Sequence, residues 1–169
     1  MFASYNYKYP DISYKALIIG NPFLAGHLLV RDYASIWPGV SARADVDRIE
    51  IGEYTNIQDN STLHCDHGNP LIIEDYVTVG HGVTLHGCRV ENNCLIGIGA
   101  IVLSGAVIEE NVILGAGSLV PENKVLEKGK VYFGSPARPI RNITTEEVEK
   151  IRKSAIKYLN YAKSYLKES

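Results

Sequence analysis

The chain holds five histidines, and four of them, His64, His67, His81 and His86, fall in one short stretch. Imidazole moves protons near neutral pH and also ligates zinc, so the cluster suggests either acid–base or metal chemistry. Spacing separates the two. His64 follows Leu63 and His86 follows Leu85, and these leucines hold equivalent positions in the repeat described below. The two histidines therefore project from matching positions on successive coils. Coils stacked ~4.8 Å apart can bring two imidazole nitrogens to one ion at ~2.0–2.1 Å each. His81, two residues past Val79, projects from the preceding face and cannot join that pair within one chain. A neighbouring chain could supply it. Three neutral imidazoles and an open position form the ligand set of a catalytic zinc site, where bound water ionises near pH 7. Fe2+ or Co2+ would also be accepted by such ligands. His67 reads as a proton shuttle or a surface residue, and His27 as structural or merely exposed.

Other polar residues lie on neighbouring coils. Arg43 and Asp45 precede the cluster and read as an ion pair, while Gln58 and Asp59 follow Ile57, one face before His64. Such groups orient a metal-bound water or tie subunits together. Cys65 adjoins His64 and Cys88 lies two residues past His86, but three histidines already complete an open zinc site.

These residues need a scaffold that sets their register, and the sequence supplies a repeat. Aliphatic residues recur every six positions: Leu24, Val30, Ile36; Ile51, Ile57, Leu63; Ile73, Val79, Leu85; and, after a slip at Val90, Ile96, Val102, Ile108, Leu114 and Val120. Four positions on stands a small or β-branched residue, as at Thr55, Ser61, Val83 and Ala100. A period of six fits neither a helix nor a flat strand. It fits a hexapeptide β-helix whose triangular coils take ~18 residues each. Two insertions break the rhythm, one around Asp47–Arg48–Ile49 and one at 64–70. The expected architecture is a mainly β, parallel β-helix over 1–142, with an N-terminal extension, followed by an amphipathic C-terminal helix over 143–169. Thr144 and Glu147 form the capping box of that helix, and Val148, Ile151, Ala155, Tyr158, Leu159, Ala162 and Leu166 form its apolar stripe.

Composition narrows the function. The formal charge is −2 with no basic block, which argues against a nucleic-acid partner. The most apolar early segment, 16–30, is broken by Asn21, Pro22 and His27 and is too short to span a bilayer, so no membrane partner is expected. Three cysteines do not make a disulfide framework, and the expected location is cytoplasmic.

Arg43–Ala44–Asp45, the run Asn56–Asn60, His64 and the run Val79–Cys88 together resemble the γ-class carbonic anhydrases and their close relatives. The resemblance covers nearly the whole chain. It implies a left-handed parallel β-helix and a homotrimer with metal between subunits, bound by His64 and His86 of one chain and His81 of the next. It also implies reversible hydration of carbon dioxide to bicarbonate by a zinc-bound hydroxide. By the same resemblance Gln58 stands beside the metal-bound water, Arg43, Asp45 and Asp59 form the interface charge set, and Tyr132 falls near the site. The chain departs from the better-known members in its short loop, whose only acid is Asp66, and in Val46 and Gly134, which stand where those members carry a glutamate and an asparagine. Asp66, His67 or buffer would then carry the proton. Other readings are a non-catalytic metal-bearing trimeric scaffold or binding module, a metal-dependent thioesterase, and a hexapeptide acyltransferase using coenzyme A.

Overall fold

A computed structural model describes residues 1–167. It is a parallel β-helix closed by one C-terminal helix, as the repeat predicts, and it is left-handed, as the resemblance implies. Three flat faces make the prism. One carries the column Ile36, Ile57, Val79, Ile96 and Leu114, all paired in register. The second carries Ala42, Leu63, Leu85, Val102 and Val120. The third carries Val30, Ile51, Ile73, Val90, Ile108 and Leu126. These side chains point inward and are essentially fully buried. At ~1.5–3 kcal/mol for each buried aliphatic side chain, the columns are the main source of stability.

Strands Phe23–Val30 and Ser41–Ile51 run across a corner and join the second and third faces into one sheet. Their pairing shifts register: Gly26 pairs with Ala44, whereas Leu28 pairs with Ile49. Residues 45–48 therefore stand opposite His27 alone, and the three extra residues lie among them. Ile49, expected in the insertion, is a fully buried ladder residue because its partner Leu28 continues the core column. The second insertion is a tight turn in which Asp66 and Asn69 exchange backbone hydrogen bonds, each about 3 Å long.

The corners carry an unexpected residue type. Tyr33, Tyr54 and Tyr76 all have positive φ, at 61°, 57° and 57°. For a bulky residue this costs ~1–2 kcal/mol, and packing must offset it. The rings form a column, with centroids 5.0 Å apart for Tyr33–Tyr54 and 4.9 Å for Tyr54–Tyr76. The Arg152 guanidinium from the C-terminal helix lies 4.0 Å over the Tyr76 ring and ties helix to corner.

The helix spans Thr145–Lys167 and runs back along the first face against strands Leu17–Ile18, Ser35–Ile36, Asn56–Ile57 and Thr78–Val79. Its capping box forms as the sequence predicts: the Glu147 amide donates to Thr144 Oγ1 (3.2 Å) and the Thr144 amide to Glu147 Oε2 (3.0 Å). Ile151, Ala155, Leu159 and Ala162 are buried, but Leu166 is exposed, because it lies past the last buried turn of the helix. No helix among the described residues is long and apolar enough to cross a membrane. At the C-terminal end of the stack, strand Lys130–Phe133 continues the first face and Arg138–Asn142 then pairs with it antiparallel.

Candidate metal centre

The six-residue ladder places His64 directly opposite His86, as Cα partners in strands Thr62–His64 and Thr84–His86. Leu63 and Leu85 point inward in the same strands, so alternation turns both imidazoles outward. Nδ1 of His64 lies 3.0 Å from Nε2 of His86. Two nitrogens bound tetrahedrally at ~2.0–2.1 Å are about 3.3 Å apart. The pair therefore fits as half of a zinc ligand set with only small adjustment.

The remaining ring nitrogens are anchored. His64 Nε2–H donates to Asp45 Oδ1 at 3.0 Å, and His86 Nδ1 lies 2.9 Å from Ser104 Oγ. A carboxylate or hydroxyl behind each imidazole fixes ring orientation, as at metal sites generally. Burial pushes the Asp45 carboxyl up, but the hydrogen bonds from His64 and Arg43, together with the nearby Arg43 charge, outweigh it. The net pKa lies below the usual carboxylate range. Arg43 pairs with Asp45 and remains largely exposed. Asp59, grouped with these charges by resemblance, is bound elsewhere: its Oδ2 lies 3.0 Å from His81 Nδ1.

His81 sits at the corner between the first and second faces, and the His64–His86 pair at the corner between the second and third. One chain thus presents two imidazoles at one edge and a third at another. Among the described residues no group of three His, Cys, Asp or Glu side chains comes together to hold a metal. His81 and Asp59 border a cavity of about 420 Å³ walled by Trp37, Pro38 and the helix residues Tyr158 and Tyr161. Trp37 meets Tyr158 edge-on at 5.6 Å. Sequence reasoning missed this aromatic wall, although the position of Trp37 right after the inward Ile36 marks it as an outward residue of the helix-covered face.

The other expected site residues divide. Gln58 is buried on that face, its Nε2 donating to Asn56 Oδ1 (3.0 Å), while Asn56 Nδ2 donates to Thr78 Oγ1 (3.0 Å). Asp66 is exposed and accepts the His67 amide at 2.9 Å. Tyr132 is not brought to the histidines. It pairs with Leu114 in the inward column of the first face, and its hydroxyl accepts the Glu127 amide at 2.9 Å. Among the described residues the three cysteines are unpaired and buried, and burial pushes the Cys88 and Cys94 thiols up to about 12. Ser104 escaped sequence reasoning because it stands one position past Leu103, the residue that continues the His64–His86 row.

Comparison with known proteins agrees with this architecture. Residues 87–122 match the family described as bacterial transferase hexapeptide (six repeats). A Methanocaldococcus jannaschii protein named "Probable carbonic anhydrase" is 47% identical over 153 residues, covering 90% of this chain and 96% of that protein. A Geobacillus kaustophilus protein named "Carbonic anhydrase" is 44% identical, covering 97% and 92%. The crystal structure of a hexapeptide transferase family protein from Anaplasma phagocytophilum superposes with a TM-score of 0.94 at 39% identity, covering 98% of each chain.

Proposed function

The chain belongs to the hexapeptide-repeat, γ-carbonic-anhydrase-like superfamily, and from that premise we propose that it is a metal-dependent carbon dioxide hydratase working as a homotrimer. In this reading His64 and His86 of one subunit and His81 of the next hold zinc, with Fe2+ or Co2+ as substitutes. The observation that carries it is the His64–His86 pair, 3.0 Å apart, with each ring anchored behind by Asp45 or Ser104. A zinc ion held there makes water nucleophilic at neutral pH.

The chain's own residues supply the rest. Asp45, Ser104 and Asp59 orient the three imidazoles. Gln58, fixed by Asn56, lies beside Asp59 and orients the small polar reactant. The wall of Trp37 and Tyr158 limits water near His81 and suits an apolar gas molecule. Asp66 and His67, both exposed, pass the released proton to buffer. Carbon dioxide hydration by zinc-loaded protein, compared with the His81→Ala variant, tests the reading. We expect a rate well above free zinc that falls to background in the variant; equal rates remove the assignment.

A second reading has its own observations: the transferase hexapeptide match over 87–122 and the likeness to a structure of a transferase family protein. It is acyl transfer from coenzyme A with one histidine as general base. Turnover of an acyl-CoA panel that survives chelators would favour it. Turnover that chelators abolish would indicate a metal-dependent thioesterase. Stoichiometric zinc without any turnover would leave the trimer as a metal-bearing scaffold.

A further inference from the structure

The geometry points to Ser104 as a positioning residue for His86 whose hydroxyl reverses its hydrogen bond when the ion binds. The inference rests on the metal reading above. Asp45, His64, His86 and Ser104 form one unbroken line across neighbouring coils, with gaps of 3.0, 3.0 and 2.9 Å. Each gap holds one hydrogen. A carboxylate only accepts, so His64 carries its hydrogen on Nε2 and presents a lone pair at Nδ1. That lone pair faces His86 Nε2, which therefore carries the ring hydrogen of His86. His86 Nδ1 then accepts from the Ser104 hydroxyl. Without metal, all the donors point the same way, from serine toward carboxylate.

A cation between the two rings needs lone pairs on both facing nitrogens. His64 already offers one. His86 does not, and its hydrogen must move from Nε2 to Nδ1. The ring stays neutral, and no proton is gained or lost. The new Nδ1–H requires an acceptor, and Ser104 Oγ provides it once its own hydrogen has rotated away. A hydroxyl serves both arrangements. A carboxylate would hold only the second, and a backbone N–H only the first. The two anchors thus differ for a reason: Asp45 holds a ligand that keeps one tautomer, and Ser104 holds one that must exchange.

The test uses the full chain labelled with ¹⁵N-histidine, stripped of metal and then titrated with zinc, as wild type, Ser104→Ala and Ser104→Thr. Imidazole ¹⁵N shifts report which nitrogen carries hydrogen, and chelator competition gives the zinc dissociation constant. In the wild type and the threonine variant, His86 is expected to carry hydrogen on Nε2 without metal and on Nδ1 with it, while His64 keeps Nε2–H throughout. Ser104→Ala, folded by circular dichroism, should weaken zinc binding by roughly 10–100-fold. Two results overturn the inference: unchanged affinity in Ser104→Ala, or His86 already hydrogenated on Nδ1 in metal-free protein. A wild type that takes up no zinc removes the proposed function, and the ion-driven reversal goes with it. That outcome is distinct from a wild type that binds zinc no better than its alanine variant.

Discussion

Asp59 and His81 sit on adjacent coils with Oδ2 3.0 Å from Nδ1, at the opposite end of one prism face from the His64–His86 pair. The carboxylate takes the Nδ1 hydrogen and leaves the other ring nitrogen of His81 directed away from it. A residue grouped by resemblance with interface charges is, in the folded chain, the orienting partner of the third imidazole.

Removing that partner should therefore loosen the metal without disturbing the coil. Asp59→Ala is expected to weaken zinc binding by roughly 10–100-fold, and Asp59→Asn, which can still accept the Nδ1 hydrogen, by less. Isothermal titration with zinc, alongside thermal melts, checks both. Unaltered affinity in Asp59→Ala would show that His81 needs no anchor, or that it does not ligate.

Under the proposed function, the split placement of the three histidines makes metal and assembly interdependent. His81→Ala and His64→Ala homotrimers should each fail to bind zinc. Refolding the two chains together should restore it in part, because an intact His81 can then meet an intact His64–His86 pair. Metal content per mixed trimer, measured after size-exclusion chromatography, decides the matter; no recovery above the separate variants rejects a shared site. Stripping metal from wild type should also lower the melting temperature of the trimer, since an ion bound only by the assembled state stabilises it.

The tyrosine column carries an opposed pair of terms, a strained backbone and two ring stackings. Tyr54→Ala keeps the strain and loses both stackings, and should lower Tm by roughly 2–6 °C. Tyr54→Gly loses the same stackings but relieves the positive φ of 57°, so it should melt above the alanine variant. Calorimetry on the two proteins gives the order, and the reverse order would show that the corner is not strained.

Acid should loosen the helix at its start. Hydrogen bonds from Arg141, then from the Thr144 amide, hold the Glu147 carboxyl down to about 2, against an ordinary value of 4.5. A depressed carboxylate contributes stability that is complete above its unfolded value and is lost as pH falls through the folded one. Between about pH 4.5 and pH 2 the first helical turn should therefore lose amide-exchange protection. Glu147→Gln should show low protection there at every pH. Equal pH profiles for the two proteins would remove the effect from Glu147.

The six-residue period made the register legible, and register alone located the histidine pair, since a side chain following an inward leucine must point outward. The same period also bore on Tyr132, which stands six residues past Leu126 and so belongs to the inward ladder, where the structure seats it. Resemblance had pointed it at the site. The corner tyrosines were not legible, because glycine and asparagine are the ordinary signals for positive φ; only ring stacking across three coils explains the exception. Ser104 was hidden for a similar reason. Its role comes from reaching sideways to the neighbouring row, which a one-dimensional period does not encode.

The antiparallel return of Arg138–Asn142 has a consequence for how copies of the chain can meet. A parallel stack ends in unpaired backbone groups, which form a template for fibre growth. Here the first face is sealed by the reversed strand. The second is closed by the loop behind it, with the Leu119 amide donating to Gly134 and the Ala137 amide donating to Leu119. A further coil from another molecule finds no parallel register on either face. At this end of the rod two of the three faces are thereby closed to continued parallel stacking, and only the third, ending at Val125–Leu126, keeps an open edge.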